Sequence, residues 1–314
     1  MNIKIGNTPM TKIKYKYNGK EIFIYTKLEY YNYTGSIKDR VAFYILTEAI
    51  KNETLKEGMT IYEATSGNTG ISLSALGALM GYKVKIFMPD WVSKERVKIM
   101  NLYGAEVRLV SKEEGGFVKA IELARKEAEE NNGFLANQFE NHDNVLAHYE
   151  TTALEILNQA YDIGAFVSGI GTGGTLIGVG KRLKKHDPNI KVVALEPDKM
   201  PLLSQNKIIS SHKIEGIGDD FIPGIVDKKI IDKIILINDE DAINMARILS
   251  KKLGLGVGIS SGANFLASVI VKDKNLKNVV TVFADDNKKY LSTDLSKEID
   301  LNSDFISNQI EILK

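Results

Sequence analysis

The residues best suited to chemistry lie in Gly171-Thr172-Gly173-Gly174-Thr175, between an apolar run at 165–169 and a helical pattern opening at Leu176. A glycine-rich turn from strand to helix leaves several backbone N–H groups unpaired and pointing one way, and the positive end of the helix dipole adds to them. Two threonine hydroxyls can donate as well. The stretch therefore predicts a phosphate cup that needs no basic side chain. These residues alone leave open whose phosphate it is. Gly169-x-Gly171-x-x-Gly174 also fits the dinucleotide fingerprint, and Glu196, 22 residues past Gly174, stands where a ribose-binding acid belongs.

Three further stretches bear on that choice. Lys38, in Ser36-Ile37-Lys38-Asp39-Arg40, follows the turn Asn32-Tyr33-Thr34-Gly35 and opens a helical pattern. Read blandly, it is a solvated lysine, one of 41 basic residues. Desolvated at a helix N-terminus, its amine would deprotonate more readily and could serve as a Schiff-base lysine. Thr65-Ser66-Gly67-Asn68-Thr69-Gly70 is a second small-residue turn, offering N–H groups, three hydroxyls and an amide either to cap a helix or to hold a second anion such as a substrate carboxylate. Gly258-Ile259-Ser260-Ser261-Gly262-Ala263 opens another helix, and a hydroxyl there can cap it or face a cofactor ring nitrogen. Two anion loops with a candidate imine lysine suggest a cofactor phosphate on one side and a carboxylate substrate on the other.

The elements that must position these residues alternate strand and helix, which argues for an α/β chain with a largely parallel sheet. Residues 21–27 alternate as a strand, and Ser36 or Asp39 can cap a helix through 41–50. A strand at 60–64, a helix at 71–80, a strand at 83–88 ended by Pro89, a helix at 93–102 and a strand at 106–110 make a run of βα units. Strands near 165, 192, 234 and 280 build a second sheet. The pattern predicts two α/β lobes with the site in the cleft between them: residues 1–44 plus 148–314 as the larger, phosphate-binding lobe, and 45–147 as a smaller inserted lobe carrying the carboxylate loop. The tail from Lys297 is expected to form a peripheral helix.

Composition narrows the function. The 314 residues carry 41 basic and 40 acidic side chains, a net charge of +1, which gives no electrostatic reason to expect nucleic acid or an anionic membrane. No apolar run approaches the ~20 residues of a membrane span, and the start, Met-Asn-Ile-Lys-Ile, lacks a signal-peptide layout, so a cytoplasmic protein is expected. With no cysteine there are no disulfides or thiolate metal sites, and the four histidines form no ligand pattern; no metal is expected.

Nearly end to end, the chain resembles the cysteine synthase and cystathionine β-synthase family of fold-type-II pyridoxal-phosphate (PLP) enzymes. The resemblance runs through Ile5-Gly-Asn-Thr-Pro9, Gly35-Ser-Ile-Lys-Asp-Arg40, Thr65-Ser-Gly-Asn-Thr-Gly70, Asn137-Gln-Phe139, His148-Tyr-Glu-Thr-Thr152, Gly171-Thr-Gly-Gly-Thr175, Gly216-Ile-Gly218 with Phe221-Ile-Pro223, Gly258-Ile-Ser-Ser-Gly262 and Tyr290-Leu-Ser-Thr293. It implies a fold like that of the tryptophan synthase β chain, a homodimer, and PLP chemistry through an α-aminoacrylate, interconverting O-acetyl-L-serine or L-serine, sulfide and L-cysteine. Lys38 would carry the cofactor and shuttle the α-proton, Asn68 would meet its phenolic oxygen, Gly171, Thr172, Gly173, Gly174 and Thr175 would hold its phosphate, and Ser260 would face its pyridine nitrogen. Thr65, Ser66, Thr69 and Gln138 would grip the substrate carboxylate. The dinucleotide reading gives no task to Lys38 or Asn68. The intact Lys38 and loop residues argue against a non-catalytic relative that binds PLP, or a partner protein, as a scaffold.

The chain departs from the cysteine synthase pattern in its acids. Glu215-Gly-Ile-Gly-Asp219-Asp220-Phe-Ile-Pro223 stands where cysteine synthases typically carry Gln-Gly-Ile-Gly-Ala-Gly-Phe-Ile-Pro, and it looks more like cystathionine β-synthase. The haem-binding extension and regulatory domains of that enzyme have no counterpart, so a bare catalytic core is expected. Acetate leaves unaided, whereas expelling hydroxide needs a proton and adding water needs a base. Extra carboxylates thus point to serine or cysteine as donor, with sulfide release as the alternative direction. Asp232 interrupts the apolar run 230–237 and is expected to be partly buried, with a raised pKa and a catalytic role. A serine acetyltransferase tail is a candidate partner for the cleft.

Overall fold

The computed structural model describes residues 3–274, 277–297 and 304–313. Its strands are β1 (Met10–Tyr17), β2 (Lys20–Leu28), β3 (Thr60–Ala64), β4 (Lys83–Pro89), β5 (Glu106–Val110), β6 (Phe134–Leu135), β7 (Ile163–Gly169), β8 (Lys191–Pro197), β9 (Lys233–Ile237), β10 (Asn278–Phe283) and β11 (Glu311–Ile312). Its helices are α1 (Lys38–Lys51), α2 (Asn68–Met80), α3 (Lys94–Leu102), α4 (Gly116–Glu130), α5 (Asp143–Ala147), α6 (Ala153–Gln159), α7 (Gly174–His186), α8 (Leu202–Gln205), α9 (Asp239–Leu253) and α10 (Ile259–Asp273). Among the described residues no helix is long and apolar enough to cross a membrane.

Two sheets organise these elements. The larger has the order β11-β1-β2-β10-β7-β8-β9 and the smaller the order β5-β4-β3-β6. The smaller sheet is parallel throughout, and so is the larger from β2 to β9, as the alternation of strand and helix predicts. The exceptions are the β11–β1 edge pair and the β1–β2 hairpin, the latter joined by Asn18-Gly19, where φ is 49° and 75°. Positive φ at both central residues makes the tight turn whose twist matches that of the flanking strands, and Asn-Gly is its usual sequence.

Strands β3, β7, β8 and β10 are buried nearly throughout, the continuous apolar reading expected of strands covered on both faces. One side of the larger sheet packs under α9 and α10, with Phe265, Leu266, Val269 and Phe283 in its core, and the other under α6 and α7, with Ile156, Leu176, Val179 and Phe166. Helix α1 buries Val41, Ala42, Ile45 and Leu46 in the core of the smaller sheet, beside Leu73, Leu76 and Ile86. A division drawn at residue 44 therefore runs through the middle of α1. The C-terminal segment differs from the expected helix: 306–309 form a single 3₁₀ turn and β11 pairs antiparallel with β1, while 298–303 lie outside the described residues.

Both small-residue loops sit at the carboxyl ends of parallel strands, β7 into α7 and β3 into α2. That edge is where open α/β sheets place ligands, because strand ends and helix N-termini converge there.

Candidate active site

Lys38 is the first residue of α1, and the segment before it is clamped from several sides. The Ile37 N–H donates to the Ala284 carbonyl at 2.8 Å, Ser36 bridges Asp285, and Ser36 Oγ accepts from the Lys38 N–H at 3.2 Å. Its two neighbours in Lys38-Asp39-Arg40 point elsewhere. Buried Asp39 accepts from the Thr34 N–H, the Thr34 hydroxyl and the Ser72 hydroxyl at 2.6–2.7 Å, which closes the turn ahead of the helix. Arg40 joins a buried network with Glu29, Glu155 and Lys27. Lys38 alone faces the cleft, and among the described residues its amine has no hydrogen-bond or ion-pair partner. Burial pushes it down to about 8, against the attraction of Asp219 and then Asp285. An unpartnered amine with a lowered pKa is what condensation with a carbonyl needs.

The loop after β7 has the form of an anion cup. Gly173 has φ +90° and no space for a side chain beside Val226, and Gly171 and Gly174 close against the Gly216 carbonyl and the Asn144 amide, so a Cβ would force this loop open. The N–H groups of Gly171, Thr172 and Gly173 have no partner among the described residues and stand at the N-terminus of α7. Thr172 and Thr175 are each braced from behind. Asn144 Nδ2 donates to Thr172 Oγ1 at 2.9 Å and to the Gln138 carbonyl at 2.8 Å. His148 Nε2 lies 3.1 Å from Thr175 Oγ1, and its Nδ1 lies 2.9 Å from Thr152 Oγ1. Burial first, then the positive charges of Lys38 and Arg40, keep His148 neutral. One of its nitrogens therefore donates while the other accepts.

The loop after β3 lies opposite. Thr69 Oγ1 donates to Gln138 Oε1 at 2.6 Å, and Gln138 Nε2 donates to the Ala64 carbonyl at 3.0 Å. Asn68 Nδ2 donates to Asp285 Oδ2 at 2.7 Å, while its Oδ1 is buried without a partner. Beneath this loop Glu63 accepts from the N–H groups of Ala64 and Gln138, and burial pushes its carboxyl up to about 8. Lys38, Thr65, Ser66, Asn68, Thr69, Gln138, Gly171, Thr172, Gly173, Thr175 and Ser260 all line one cleft, and Gly174 stands just behind it at the first turn of α7. The cleft's chemistry and shape fit PLP: unpaired N–H groups without an acid for the phosphate, and an unpartnered amine for the aldehyde.

The acids divide otherwise than the sequence suggests. Asp219 lines the cleft, and burial followed by repulsion from Asp220 pushes it up to about 6, against the attraction of Lys38. Asp232 does not reach the cleft. It sits at the start of β9, the outer strand of the larger sheet, accepts from the Val192 N–H at 2.7 Å and pairs with Lys184 and Lys191. Partial burial opposes ionisation there, but Lys184, the Val192 N–H and Lys191 hold its carboxyl below the usual range, the reverse of the raised pKa expected. Arg96, Asn144 and Asp285 escape the sequence reading. Of these only Asp285, an acid two residues past the apolar strand β10, carries a local signal, since strand ends of this kind collect site residues.

Residues 1–285 match the family described as pyridoxal-phosphate dependent enzyme. Cysteine synthase B of Campylobacter jejuni is 44% identical over 296 residues, covering 93% of this chain and 96% of that one. The crystal structure of a hydrogen sulfide-producing enzyme from Fusobacterium nucleatum superposes with a TM-score of 0.95 at 47% identity, covering 99% of this chain and 95% of that one. A cysteine synthase from Entamoeba histolytica superposes at 0.88 with 41% identity, covering 97% and 93%.

Proposed function

Because the chain belongs to the pyridoxal-phosphate dependent enzymes, with cysteine synthases among its relatives, we propose that its β-replacement chemistry runs toward sulfide release: L-cysteine and water, or a second thiol, give L-serine, or a thioether, and hydrogen sulfide. Lys38, Asn68, the loop 171–175 and Ser260 hold the cofactor, which when bound supplies an electrophilic carbonyl and an electron sink that acidifies the substrate Cα–H. The hydroxyls of Thr65, Ser66 and Thr69 with the Gln138 amide hold the substrate carboxylate. Lys38, its amine near 8, takes the proton from Cα and returns it when the new Cβ bond has formed.

Asp219 carries the direction. Sulfide is already nucleophilic and acetate leaves unaided, so cysteine formation from O-acetylserine needs no carboxylate near Cβ. Water does need a base, and a carboxylate near 6 is ionised at neutral pH yet basic enough to take a proton from water as its oxygen bonds to Cβ. The negative charges of Asp219 and Asp220 also disfavour return of hydrosulfide to the cleft. The likeness to a sulfide-producing enzyme supports the same direction.

The test is L-cysteine alone and with a second thiol, quantifying sulfide and identifying the amino-acid product by mass, with O-acetylserine plus sulfide in parallel. Rapid sulfide release with serine or a thioether is the expected outcome. Little sulfide beside rapid cysteine formation would make the enzyme a biosynthetic cysteine synthase. The reading includes a cytoplasmic homodimer whose cleft takes a serine acetyltransferase tail, checked by light-scattering mass with and without the tail peptide.

A further inference from the structure

We propose that Arg96 is a positioning residue for the acid loop: by pairing with Glu215 it holds residues 215–219 against the Thr65–Gly70 turn and so keeps Asp219 facing Lys38. Arg96 projects from α3, on the smaller-sheet side, and is only 2% exposed. Its guanidinium nevertheless finds its carboxylate across the cleft, donating through Nη1 to Glu215 Oε2. The same nitrogen lies 3.4 Å from the Ser66 carbonyl, and the guanidinium carbon stacks 4.9 Å from the centre of the Tyr290 ring. Its Nε is buried without a partner, and Gly67 has no room for a side chain because the Arg96 stem fills that space. One side chain thus touches the substrate-carboxylate turn, the acid loop and the segment after β10. There the Tyr290 hydroxyl donates to Asp285 Oδ2 at 2.7 Å, the same oxygen that accepts from Asn68.

The acid loop needs such a hold. Gly216 and Gly218 have φ of +89° and +72°, so the backbone on either side of Ile217 is not stiffened by its own side chains. On the larger-sheet side the loop is fixed by the buried Ile217, by the Gly218 N–H donating to the Ile170 carbonyl at 2.8 Å, and by His212 Nε2, which donates to the Gly218 carbonyl at 2.7 Å. Among the described residues, Glu215–Arg96 is the polar contact that ties residues 215–219 to the smaller-sheet side. Breaking it would strand a buried guanidinium without its carboxylate, which is strongly unfavourable, so the pair holds the loop in the observed arrangement.

The kinetic consequence rests on the role given to Asp219 above; the loop consequence does not. The experiment uses the holoenzyme with Arg96→Lys, which keeps the charge but loses the planar fork, with Glu215→Gln, which keeps the shape, and with both together. By hydrogen-exchange mass spectrometry, a peptide spanning 214–221 is expected to exchange about fivefold or more faster in either single variant, with the double no faster than the worse single. Sulfide release from L-cysteine should lose about tenfold in kcat at unchanged KM and unchanged cofactor absorption, while O-acetylserine plus sulfide changes by less than about twofold. Unaltered exchange at 214–221, additive effects in the double variant, or a KM increase at constant kcat would each overturn the proposal, the last by showing that Arg96 reads the substrate carboxylate itself. If the unsubstituted enzyme releases no sulfide, the role of Asp219 falls, and the exchange rates alone decide that of Arg96.

Discussion

Lys38 and Asp219 face one cleft as opposite charges that burial drives toward neutrality, the amine down to about 8 and the carboxyl up to about 6, each restrained by the other. Desolvation disfavours both charged forms, and mutual attraction recovers only part of the cost. The outcome is two groups whose pKa values fall on either side of neutral pH, as the proposed division between a base for carbon and a base for water requires.

Lys38→Ala should abolish turnover and leave PLP bound without a covalent link, seen as cofactor lost on denaturing filtration after borohydride treatment, which fixes it to the unsubstituted chain. Full activity would end the Schiff-base reading. In the apoprotein the lysine should also destabilise the fold. The folded amine lies near 8 and the unfolded one near 10.5, so between those values the unfolded state binds more protons and stability rises with pH. Lys38→Met apoprotein should therefore be the more stable in urea at neutral pH, with the gap closing as pH rises from about 8 to about 10.5.

Asp219→Asn should slow sulfide release from L-cysteine in water by about 10²–10⁴, the usual range for losing a general base. In the unsubstituted enzyme this rate should fall as pH drops through about 6, because the carboxyl must be ionised to accept the proton from water. That limb should vanish in the variant. A thiolate acceptor needs no base, so thioether formation should suffer much less, and equal losses with both acceptors would remove Asp219 from this role.

Asp232→Asn should leave every rate unchanged, because the carboxylate is engaged with Lys184, Lys191 and the Val192 N–H at the sheet edge. Its side chain is 23% exposed, so losing the pairs should cost only about 1 kcal/mol in urea unfolding. Its pKa is held below the ordinary value, so that increment is present at neutral pH and lost as pH falls through the acid range. A large fall in sulfide release would return Asp232 to catalysis.

The contrast between these two aspartates shows where sequence reasoning stops. An acid inside an apolar run suggests a raised pKa, but Asp232, partly buried as expected, precedes the outermost strand of its sheet, where lysines can reach it and hold its pKa down. An acid in a polar loop looks solvated, but the loop of Asp219 folds over the cleft. Neither fate is local. Lys38, the Thr65–Gly70 turn and the Gly171–Thr175 cup were legible because each places its chemistry within a few residues of a strand end or helix start. Arg96 and Asn144 were not, since Glu215 lies 119 residues from the one and Thr172 28 residues from the other in sequence. The hairpin strand β1 was also missed, although Asn18-Gly19 marked its turn.

Asn144 gives the sharpest test of the phosphate cup. It is fully buried, and its amide ties the cup to the carboxylate side by donating to Thr172 Oγ1 and to the Gln138 carbonyl. Asn144→Ala removes both bonds and should weaken PLP by about tenfold, roughly the worth of one net hydrogen bond. Asn144→Asp is closer in shape and would be the milder change if the residue only filled space. A carboxylate, however, cannot donate to the Gln138 carbonyl, and it sets a negative charge behind a loop built to receive phosphate. PLP affinity, read from the visible band during titration of the apoprotein, should therefore fall in the order Asn, Ala, Asp. An Asp variant that binds PLP more tightly than the Ala variant would mean that Asn144 packs the loop without shaping its charge.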